Sequence, residues 1–288
     1  YLRSLSILLG YKCECKCEFC SVEPLRGNEG EPLTLKEWKD IIDQSLELGV
    51  INVTISGGEP LLYSSKLIPL IEYVNSKRAI CTIATTGHGL HNYLDKLKNS
   101  GLSNIFISLG GIGEKHDDSR FIPGLFTEAF SAILKAREMG FFVGVRGIAS
   151  NENIEDGSFE ELLSFLEKHN ILFTATPVYS GTAKQDVGIE VMTTENSKKL
   201  LELQDAHANL MLDIFANLNY PACPAAQEWI TILSDGETVP CAGIMTSFGS
   251  LKDMSVENML KKIRSTPEFG SICTVCRSGE DSEFANNW

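Results

Sequence analysis

Three cysteines stand close together near the start of the chain, in the spacing Cys13-x3-Cys17-x2-Cys20. Cysteine thiolates are the usual ligands of iron–sulfur clusters. A cubane cluster takes four cysteine ligands when it is fully ligated, so three cysteines leave one iron with an open position. An open position is what distinguishes a catalytic from a structural metal site. The spacing therefore predicts a cluster that takes part in chemistry.

Zinc is the main alternative for the same loop. Cys15 lies between Cys13 and Cys17, so the loop also offers four thiolates, which is the ligand number of a structural zinc site. If the loop binds a cluster instead, we expect Cys15 to point away from it. The spacing of the cysteines alone leaves both alternatives open.

A second motif, Gly57-Gly58-Glu59-Pro60, follows a β-like run at residues 50–55. Glycine carries no side chain, so two adjacent glycines allow the backbone to approach a ligand closely. The carboxylate of Glu59 is able to accept a hydrogen bond from an ammonium group. A zinc site has no use for this segment, and its position about one βα unit after the cysteines favours the cluster.

Together the two motifs resemble the radical S-adenosylmethionine (SAM) superfamily. The resemblance implies that the open iron of a [4Fe-4S] cluster, held by Cys13, Cys17 and Cys20, chelates the amino and carboxylate groups of SAM. An electron from the cluster then cleaves SAM to a 5′-deoxyadenosyl radical, which removes a hydrogen atom from the substrate. The residues that the resemblance implies for SAM binding are Phe19, Gly57, Gly58, Glu59, Pro60, Ser108 and Arg146.

Two of these residues have alternative interpretations. Ser108 matches the polar position that holds the SAM ribose in the family, but a serine that only starts a loop fits equally well. The next polar position is acidic in many relatives, whereas Leu109 and Gly110 follow here. Arg146 interrupts an apolar strand. If it points inward it suits a carboxylate of SAM or of the substrate, and if it points outward it is a solvated charge.

Strand-like and helix-like segments alternate along the chain. Strands are predicted at residues 5–9, 52–56, 79–85, 104–109, 142–148 and 171–178, and helices at 34–48, 63–75, 90–99, 125–139, 159–168 and 195–218. Repeated βα units form a parallel sheet with right-handed crossovers. Six units are too few for an eight-fold barrel. The predicted fold class is therefore α/β, an open partial (β/α)6 barrel, which the resemblance also implies.

In such folds the ligand site gathers at the C-terminal ends of the strands. The segments that follow predicted strands are the cysteine loop, Gly57 to Glu59, Thr85-Thr86-Gly87, Ser108, Arg146 and Tyr179. We expect them to meet at one end of the barrel. The polar loop from His116 to Gly124 resembles the segment after the fourth strand in peptide-modifying relatives and suits substrate contact, although a solvated loop explains it almost as well.

Four further cysteines lie near the end of the chain, in the pattern Cys223-x12-Gly236-x4-Cys241 followed by Cys273-x2-Cys276. Residues 228–233 and 237–239 are strand-like and flank Asp235-Gly236, a hairpin turn signal. This hairpin would bring Cys223 and Cys241 together. Four thiolates saturate a cubane cluster, and their spacing also permits structural zinc.

The same pattern resembles the twitch domain, the shortened form of the SPASM domain that follows radical SAM barrels. Since no cysteine follows Cys276, the resemblance implies one auxiliary [4Fe-4S] cluster. It also implies a barrel over residues 1–216 and a twitch domain over residues 217–288. The auxiliary cluster would accept an electron from the substrate radical, relay electrons or only hold the domain together, and the sequence leaves these three roles open.

The composition predicts a cytoplasmic enzyme. The 288 residues are 43% hydrophobic, enough for a substantial core, and their net charge of −13 argues against a surface that wraps nucleic acid. No apolar run has membrane-spanning length and no secretory leader is recognised, so the nine cysteines are expected to be reduced. Cys81 is expected to be a packed core thiol rather than a hydrogen-atom donor. No side chain is assigned as catalytic.

The resemblance implies two substrate classes, a peptide and a small polar metabolite such as an aminocyclitol that is dehydrogenated. The segment from Ser271 to Cys276 favours the peptide-modifying group, whose reactions include oxidation, crosslinking and epimerisation. An iron–sulfur or zinc scaffold is the non-enzymatic alternative, but it would not need Gly57 to Glu59. The expected partners are the substrate and a low-potential electron donor such as flavodoxin or ferredoxin, without nucleic acid or membrane.

Overall fold

The computed structural model describes residues 2–27, 30–178, 190–213 and 223–271. The strands are β1 (Ser4–Leu8), β2 (Asn52–Ser56), β3 (Ile80–Thr85), β4 (Asn104–Ser108), β5 (Phe142–Ala149), β6 (Leu172–Pro177), β7 (Leu210–Leu212), β8 (Trp229–Ile232) and β9 (Thr238–Val239). The helices are α1 (Leu35–Glu47), α2 (Ser64–Ser76), α3 (Leu94–Asn99), α4 (Glu114–Arg120), α5 (Leu125–Glu138), α6 (Asn151–Glu155), α7 (Ser158–Lys168), α8 (Thr194–Ala206) and α9 (Val256–Arg264). Short 3-10 turns lie at Glu23–Leu25, Pro60–Tyr63 and Leu90–Asn92.

The strands form one sheet of nine in the order β7-β6-β5-β4-β3-β2-β1-β8-β9. Neighbouring strands pair in parallel throughout this order, except that β9 runs antiparallel to β8. Helices connect the strands from β1 to β7 in turn, so the predicted α/β fold with a partial barrel is confirmed. The described strands run from β7 at one edge to β9 at the other, which leaves the sheet open.

The two faces of this sheet differ in polarity, because successive residues of a strand point to opposite sides. On β1 and β2, the outward side chains Leu5, Ile7, Val53 and Ile55 are fully buried in the core that the helices cover. The alternate positions of the same strands are polar and line a cavity inside the curve of the sheet, namely Ser4, Ser6, Asn52, Thr54 and Ser56. The apolar core therefore lies between sheet and helices, and β1 and β2 present polar side chains to the interior of the barrel.

Helix α1 shows how local sequence sets the boundary of an element. The Thr34 side chain accepts a hydrogen bond from the backbone N–H of Glu37, and the Glu37 carboxylate accepts one from the N–H of Thr34 at 2.7 Å. This capping box satisfies two N–H groups that would otherwise lack partners at the start of the helix. Trp38 follows at once and is fully buried. The predicted helix at 34–48 is thus confirmed.

The prediction of one long helix at residues 195–218 is wrong. Helix α8 ends at Ala206, and strand β7 follows and pairs with β6. The backbone N–H of Phe173 on β6 donates to the carbonyl of Asn209 at 2.8 Å. Met211 is exposed between buried Leu210 and Leu212, which is the alternation of a strand. The otherwise unpaired edge of β6 thus pairs with the apolar segment Leu210–Leu212, although the local sequence of this segment is also compatible with a helix. Residues 214–218 lie outside the described residues.

The loop predicted from His116 to Gly124 contains a helix, α4, which ends at Arg120. Its first turn is tied to the end of β4, because the N–H of Gly110 donates to the Nδ1 of His116 at 3.0 Å. Asp117, in the middle of the helix, ties it to the start of α5, because its carboxylate accepts hydrogen bonds from the N–H groups of Gly124 and Phe126. The segment after β4 is therefore a helix held by specific hydrogen bonds rather than a solvated loop.

The hairpin predicted in the C-terminal segment is confirmed as β8 and β9, with the turn between them. Strand β8 also pairs in parallel with β1, with Leu5 opposite Ile230, so the hairpin extends the barrel sheet. The predicted boundary between residues 216 and 217 lies outside the described residues and stays a prediction. None of the described helices is both long and apolar enough to cross a membrane.

Candidate functional site

A cavity of about 420 Å³ lies inside the barrel and reaches the C-terminal ends of its strands. Most of the residues predicted for the SAM cluster and for SAM binding line it, namely Cys13, Cys17, Phe19, Cys20, Gly57, Gly58, Ser108 and Arg146. Glu59 and Pro60 lie behind this surface and do not line it, and Tyr179 lies outside the described residues. The fold thus gathers residues that are more than 130 positions apart in the chain around one space.

The cysteine loop follows β1 and presents its three thiols to this cavity. A tight turn brings two of them together, because the N–H of Cys20 donates to the carbonyl of Cys17 at 3.2 Å. Among the described residues, no three His, Cys, Asp or Glu side chains converge on a point where they could share one metal ion. A cubane cluster does not require such convergence, since each cysteine binds a different iron. The three thiols around one cavity therefore fit a [4Fe-4S] cluster bound by Cys13, Cys17 and Cys20.

The sequence led us to expect that Cys15 points away from the three cysteines, and this prediction is wrong. Cys15 is buried and does not line the cavity, but it packs in one cluster with Cys13, Cys17 and Cys20. The contact with Cys15, together with the Arg120 guanidinium, lowers the pKa of Cys17 to about 5. The contact with Cys15 also lowers the pKa of Cys13, and these two neighbours raise the pKa of Cys15 itself. The site thus favours thiolates at Cys13 and Cys17, the form that binds iron.

The two glycines of the second motif are required by the chain itself. A side chain on Gly57 would overlap the backbone oxygen of Gly10, and one on Gly58 would overlap the backbone oxygen of Lys12. The N–H of Gly58 donates to Gly10 at 2.8 Å, and that of Glu59 donates to Lys12 at 2.7 Å. The motif therefore fastens the end of β2 to the start of the cysteine loop. The sequence predicted a close backbone approach at these glycines. The structure shows such an approach to Gly10 and Lys12, and the approach to a ligand stays a prediction.

Glu59 is buried, and its carboxylate accepts four hydrogen bonds from within the chain. The donors are the N–H of Leu61, the hydroxyl of Thr85, and both the N–H and the hydroxyl of Thr86, at 2.7–3.1 Å. Burial raises the pKa of this carboxyl, whereas the four hydrogen bonds act in the opposite direction. Glu59 thus joins the ends of β2 and β3. Its contact with the SAM ammonium stays a prediction.

Substituting Glu59 tests this positioning role. Glu59→Ala leaves four donors without their acceptor, and at about 0.5–1.5 kcal/mol for each bond we expect a loss of about 2–6 kcal/mol in the free energy of unfolding. Urea unfolding of the cluster-free protein measures it. Glu47→Ala, on the exposed side of α1, is the control and should unfold at the parent midpoint. A Glu59→Ala protein as stable as this control would contradict the role.

Ser108, at the end of β4, lies opposite Arg146, which is inside β5. Both line the cavity, so the inward orientation of Arg146 is the one the structure shows. The Arg146 guanidinium lies over the ring of Phe106, 5.2 Å from its centroid, which holds it against the wall of the barrel. Which group of SAM or substrate each residue binds stays a prediction.

The sequence analysis missed several cavity residues, and two of them carry a charge close to the thiols or to the end of β6. Arg120, at the end of α4, is buried and its Nη1 lies 3.0 Å from the Sγ of Cys17. Asp213 follows β7, and of the described residues that line the cavity it is the sole carboxylate. The hydroxyl of Thr176 donates to Asp213 at 3.3 Å. Asp213 was missed because β7 was predicted as helix, and Arg120 because its loop gave no signal that singled out one residue.

The remaining cysteines follow their predicted placement where they are described. Cys81 faces the apolar core, and burial raises the pKa of its thiol to about 12, so it is a packing residue outside the cavity. Cys223 and Cys241 pack in one small apolar cluster beside α9, with the N–H of Ala226 donating to the carbonyl of Pro240 at 3.2 Å. Their predicted partners, Cys273 and Cys276, lie outside the described residues.

A second cavity of about 470 Å³ adjoins the first, and the two share Phe19 and Ile148 in their walls. Its other walls come from the cysteine loop, from α4 and from the loop that follows β5. Phe121 lines it and is 58% exposed. The carboxylates among its walls are Glu18, Asp118, Glu152 and Glu190. The site therefore has an inner cavity at the thiols and an outer cavity beside it.

The sequence profile of the Radical SAM superfamily matches residues 7–166 of this chain. The chain belongs to the radical SAM superfamily. The matched region contains the cysteine loop, the Gly57-Gly58-Glu59-Pro60 motif and the strands from β2 to β5. As a radical SAM protein, the chain uses SAM and a [4Fe-4S] cluster as cofactors, and which residues around the inner cavity hold them stays a prediction.

Similar proteins extend the comparison beyond the matched region. Fe-coproporphyrin III synthase of Methanosarcina barkeri is 29% identical over 195 residues, which is 67% of this radical SAM chain and 48% of the relative. PqqA peptide cyclase of Rhizobium meliloti is 22% identical over 95% of this chain and 75% of its own length. The crystal structure of Streptococcus suis SuiB bound to precursor peptide SuiA has a TM-score of 0.74 at 17% identity, covering 94% of this chain and 66% of SuiB.

The coverage of these relatives limits which of their properties can be assigned to this chain. The chain spans about half the length of the first curated relatives that it matches. The likeness to SuiB shows that this radical SAM chain has the same fold, including the part beyond the matched region. The substrate has to be argued from the site of this chain.

Proposed function

We propose that this chain is a radical SAM enzyme that modifies a peptide. The observation that carries the proposal is the pair of adjoining cavities, one at the three thiols and one beside it that is open to a larger substrate. Bound SAM and the cluster supply a 5′-deoxyadenosyl radical, which removes a hydrogen atom from the substrate. The chain's own residues hold both cofactors, exclude water from the inner cavity and admit the substrate from the outer one.

The outer cavity supports a peptide as the substrate. Its volume of about 470 Å³ is lined by helix α4 and by Ser150 to Asn153, which present polar side chains and backbone that an extended chain can hydrogen-bond. The exposed ring of Phe121 offers an apolar contact for one side chain. PqqA peptide cyclase and SuiB, which is seen with a precursor peptide, are similar over almost the whole of this chain and support the same class.

Asp213 and Arg146 are the charged residues that we propose to face the reacting part of the substrate. Net oxidation of a substrate removes two hydrogens. One leaves as an atom to the deoxyadenosyl radical, and the other leaves as a proton while its electron passes to an acceptor, which we propose to be the auxiliary cluster. Asp213 is the described cavity carboxylate that is able to receive such a proton. Flavodoxin or ferredoxin is the proposed donor of the first electron, and the cytoplasm the proposed location.

Product analysis tests the proposed function. Anaerobically reconstituted protein is incubated with SAM, dithionite and candidate precursor peptides, and with aminocyclitols as the small-molecule comparison. We expect a peptide to raise 5′-deoxyadenosine formation and to lose two mass units, or to keep its mass and take up deuterium if it is epimerised. Turnover of an aminocyclitol with no response to any peptide would contradict the proposal.

The auxiliary cluster is proposed to be held by Cys223, Cys241, Cys273 and Cys276. The nearness of Cys223 and Cys241 beside α9 supports it, and cubane clusters are saturated by four such ligands. Two clusters would give about eight irons per chain. We expect Cys241→Ala to lower the iron content to about four, while Cys81→Ala, which removes a thiol from the core, keeps about eight. Stoichiometric zinc in protein purified without oxygen would contradict the auxiliary cluster.

A further inference from the structure

Arg120 holds the cysteine loop by two separate contacts. Its backbone carbonyl accepts a hydrogen bond from the N–H of Lys16 at 3.3 Å, and its Nη1 donates to the Sγ of Cys17 at 3.0 Å. The guanidinium also lies over the ring of Phe19, 4.9 Å from the centroid, where ring and cation attract each other. Arg120 is only 7% exposed, so its charge is weakly screened by solvent.

The helix that carries this guanidinium, α4, is held in place by its contacts with neighbouring elements. The first turn of the helix is held by the hydrogen bond from Gly110 to His116. His116 is fully buried, and burial lowers its pKa to about 3, with the neighbouring Arg120 acting in the same direction. The histidine is therefore neutral and keeps its Nδ1 as an acceptor. His116 ties α4 to the end of β4 and Asp117 ties it to the start of α5, so the backbone that carries Arg120 is held next to the cysteine loop.

Charge next to a cluster ligand acts on the cluster's reduction potential. Reduction adds one negative charge, and part of it resides on the ligand sulfurs. A donor to a ligand sulfur stabilises the reduced form more than the oxidised form, which raises the potential. A buried guanidinium gives a large effect of this kind, because its hydrogen bond is charge-assisted and unscreened.

We propose that Arg120 is a positioning residue that raises the reduction potential of the cluster bound by Cys13, Cys17 and Cys20, through its hydrogen bond to the Cys17 sulfur. The inference rests on the three-cysteine cluster and is independent of the proposed peptide substrate. Arg26 makes a longer and weaker contact of the same kind with Cys20, since its Nη2 lies 3.8 Å from the Sγ of that residue.

A redox titration of the reconstituted protein, followed by electron paramagnetic resonance in the absence of SAM, tests the proposal. The signal of this cluster is identified as the one that Cys17→Ala lacks. Arg120→Met removes the donor at similar length, and Arg120→Lys keeps the charge without the planar fork. Arg146→Met is the matched control, because it also removes one guanidinium from the cavity wall but has no described contact with a thiol.

At the potential where the parent cluster is half reduced, we expect Arg120→Met to lower the ratio of reduced to oxidised cluster about tenfold, which is 59 mV for a one-electron couple. Arg120→Lys should fall between this variant and the parent, and Arg146→Met should shift far less. The dissociation constant of SAM is measured on the same samples. A midpoint potential of Arg120→Met equal to that of Arg146→Met would overturn the proposal, and weaker SAM binding with an unchanged midpoint would identify Arg120 as a SAM ligand instead.

The conservative variants keep the test decisive if Arg120→Met loses its cluster. Arg120→Lys and Arg120→Gln then replace it in the titration, with circular dichroism to confirm the fold and iron analysis to confirm loading. A lowered midpoint in these variants supports the proposal. An unchanged midpoint in whatever cluster they retain, or loss of iron from every variant while the fold persists, would show that Arg120 only holds the loop in place and would overturn it.

Discussion

Replacing Cys17 with alanine abolishes 5′-deoxyadenosine formation and removes about half of the iron, according to this account. Two cysteine ligands are too few to hold a cubane cluster against loss, whereas the auxiliary cluster proposed at the other end of the chain would remain. The structure makes Cys17 the sharpest choice among the three cysteines, because it is the most buried and contacts both Cys15 and Arg120. Iron analysis and chromatography of the SAM products measure both effects.

Cys15→Ala is the matched control for this substitution, since Cys15 is a buried cysteine of the same loop that does not line the cavity. We expect it to keep the iron of the three-cysteine cluster. A four-cysteine zinc site would lose its metal in either variant, so the pair separates the two alternatives that the spacing of the loop left open. Cys17→Ala protein with parental iron content and SAM cleavage would disprove the ligand assignment.

The second large effect is expected from Gly58→Ala. The added methyl group overlaps the backbone of Lys12, so the end of β2 and the start of the cysteine loop have to separate. This separation breaks the hydrogen bonds from Gly58 to Gly10 and from Glu59 to Lys12. At about 1 kcal/mol for each bond, with strain added, we expect a loss of at least about 2 kcal/mol in the free energy of unfolding. SAM cleavage should fall to near background, because both cavity walls move.

Gly124→Ala provides the comparison for Gly58→Ala. Gly124 has a positive φ of +79° but no neighbouring atom within 4 Å of the position that a side chain would take. Its substitution costs only the strain of the left-handed conformation, about 1 kcal/mol, and should leave the cysteine loop intact. If urea unfolding and SAM cleavage show Gly58→Ala to be no worse than Gly124→Ala, the close packing of the two backbone segments is wrong.

The sequence predicted those parts of the fold that follow from patterns repeated along the chain. Alternating apolar residues in β1 to β6 and the capping box at Thr34 are local signals, and their elements form where they were expected. Strand β7 forms against a local pattern that is compatible with a helix, because β6 offers an unpaired edge to Leu210–Leu212. A pairing partner more than 30 residues away leaves no mark on the local sequence.

In the site, too, the residues that follow a spacing pattern were predicted, and those whose role depends on tertiary packing were not. Cys13, Cys17, Cys20, Gly57 and Gly58 were found because their spacing is itself a constraint, and the structure places them around one cavity. The role of a single charged residue depends on where tertiary packing puts it. The hydrogen bonds of Glu59 with Leu61, Thr85 and Thr86 were not predicted, because no spacing rule indicates them, and its contact with SAM stays a prediction. Arg120 was missed for the same reason.

Reductive cleavage of SAM by the parent protein tests the central claim most directly. Anaerobically reconstituted protein with its iron content determined is reduced with dithionite and given SAM, and 5′-deoxyadenosine and methionine are quantified together. We expect both products to form in equal amounts and neither to form in cluster-free protein. A loaded and reduced cluster that yields neither product, with or without candidate peptides, would contradict the claim that three cysteines and an open iron make this cavity a radical SAM active site.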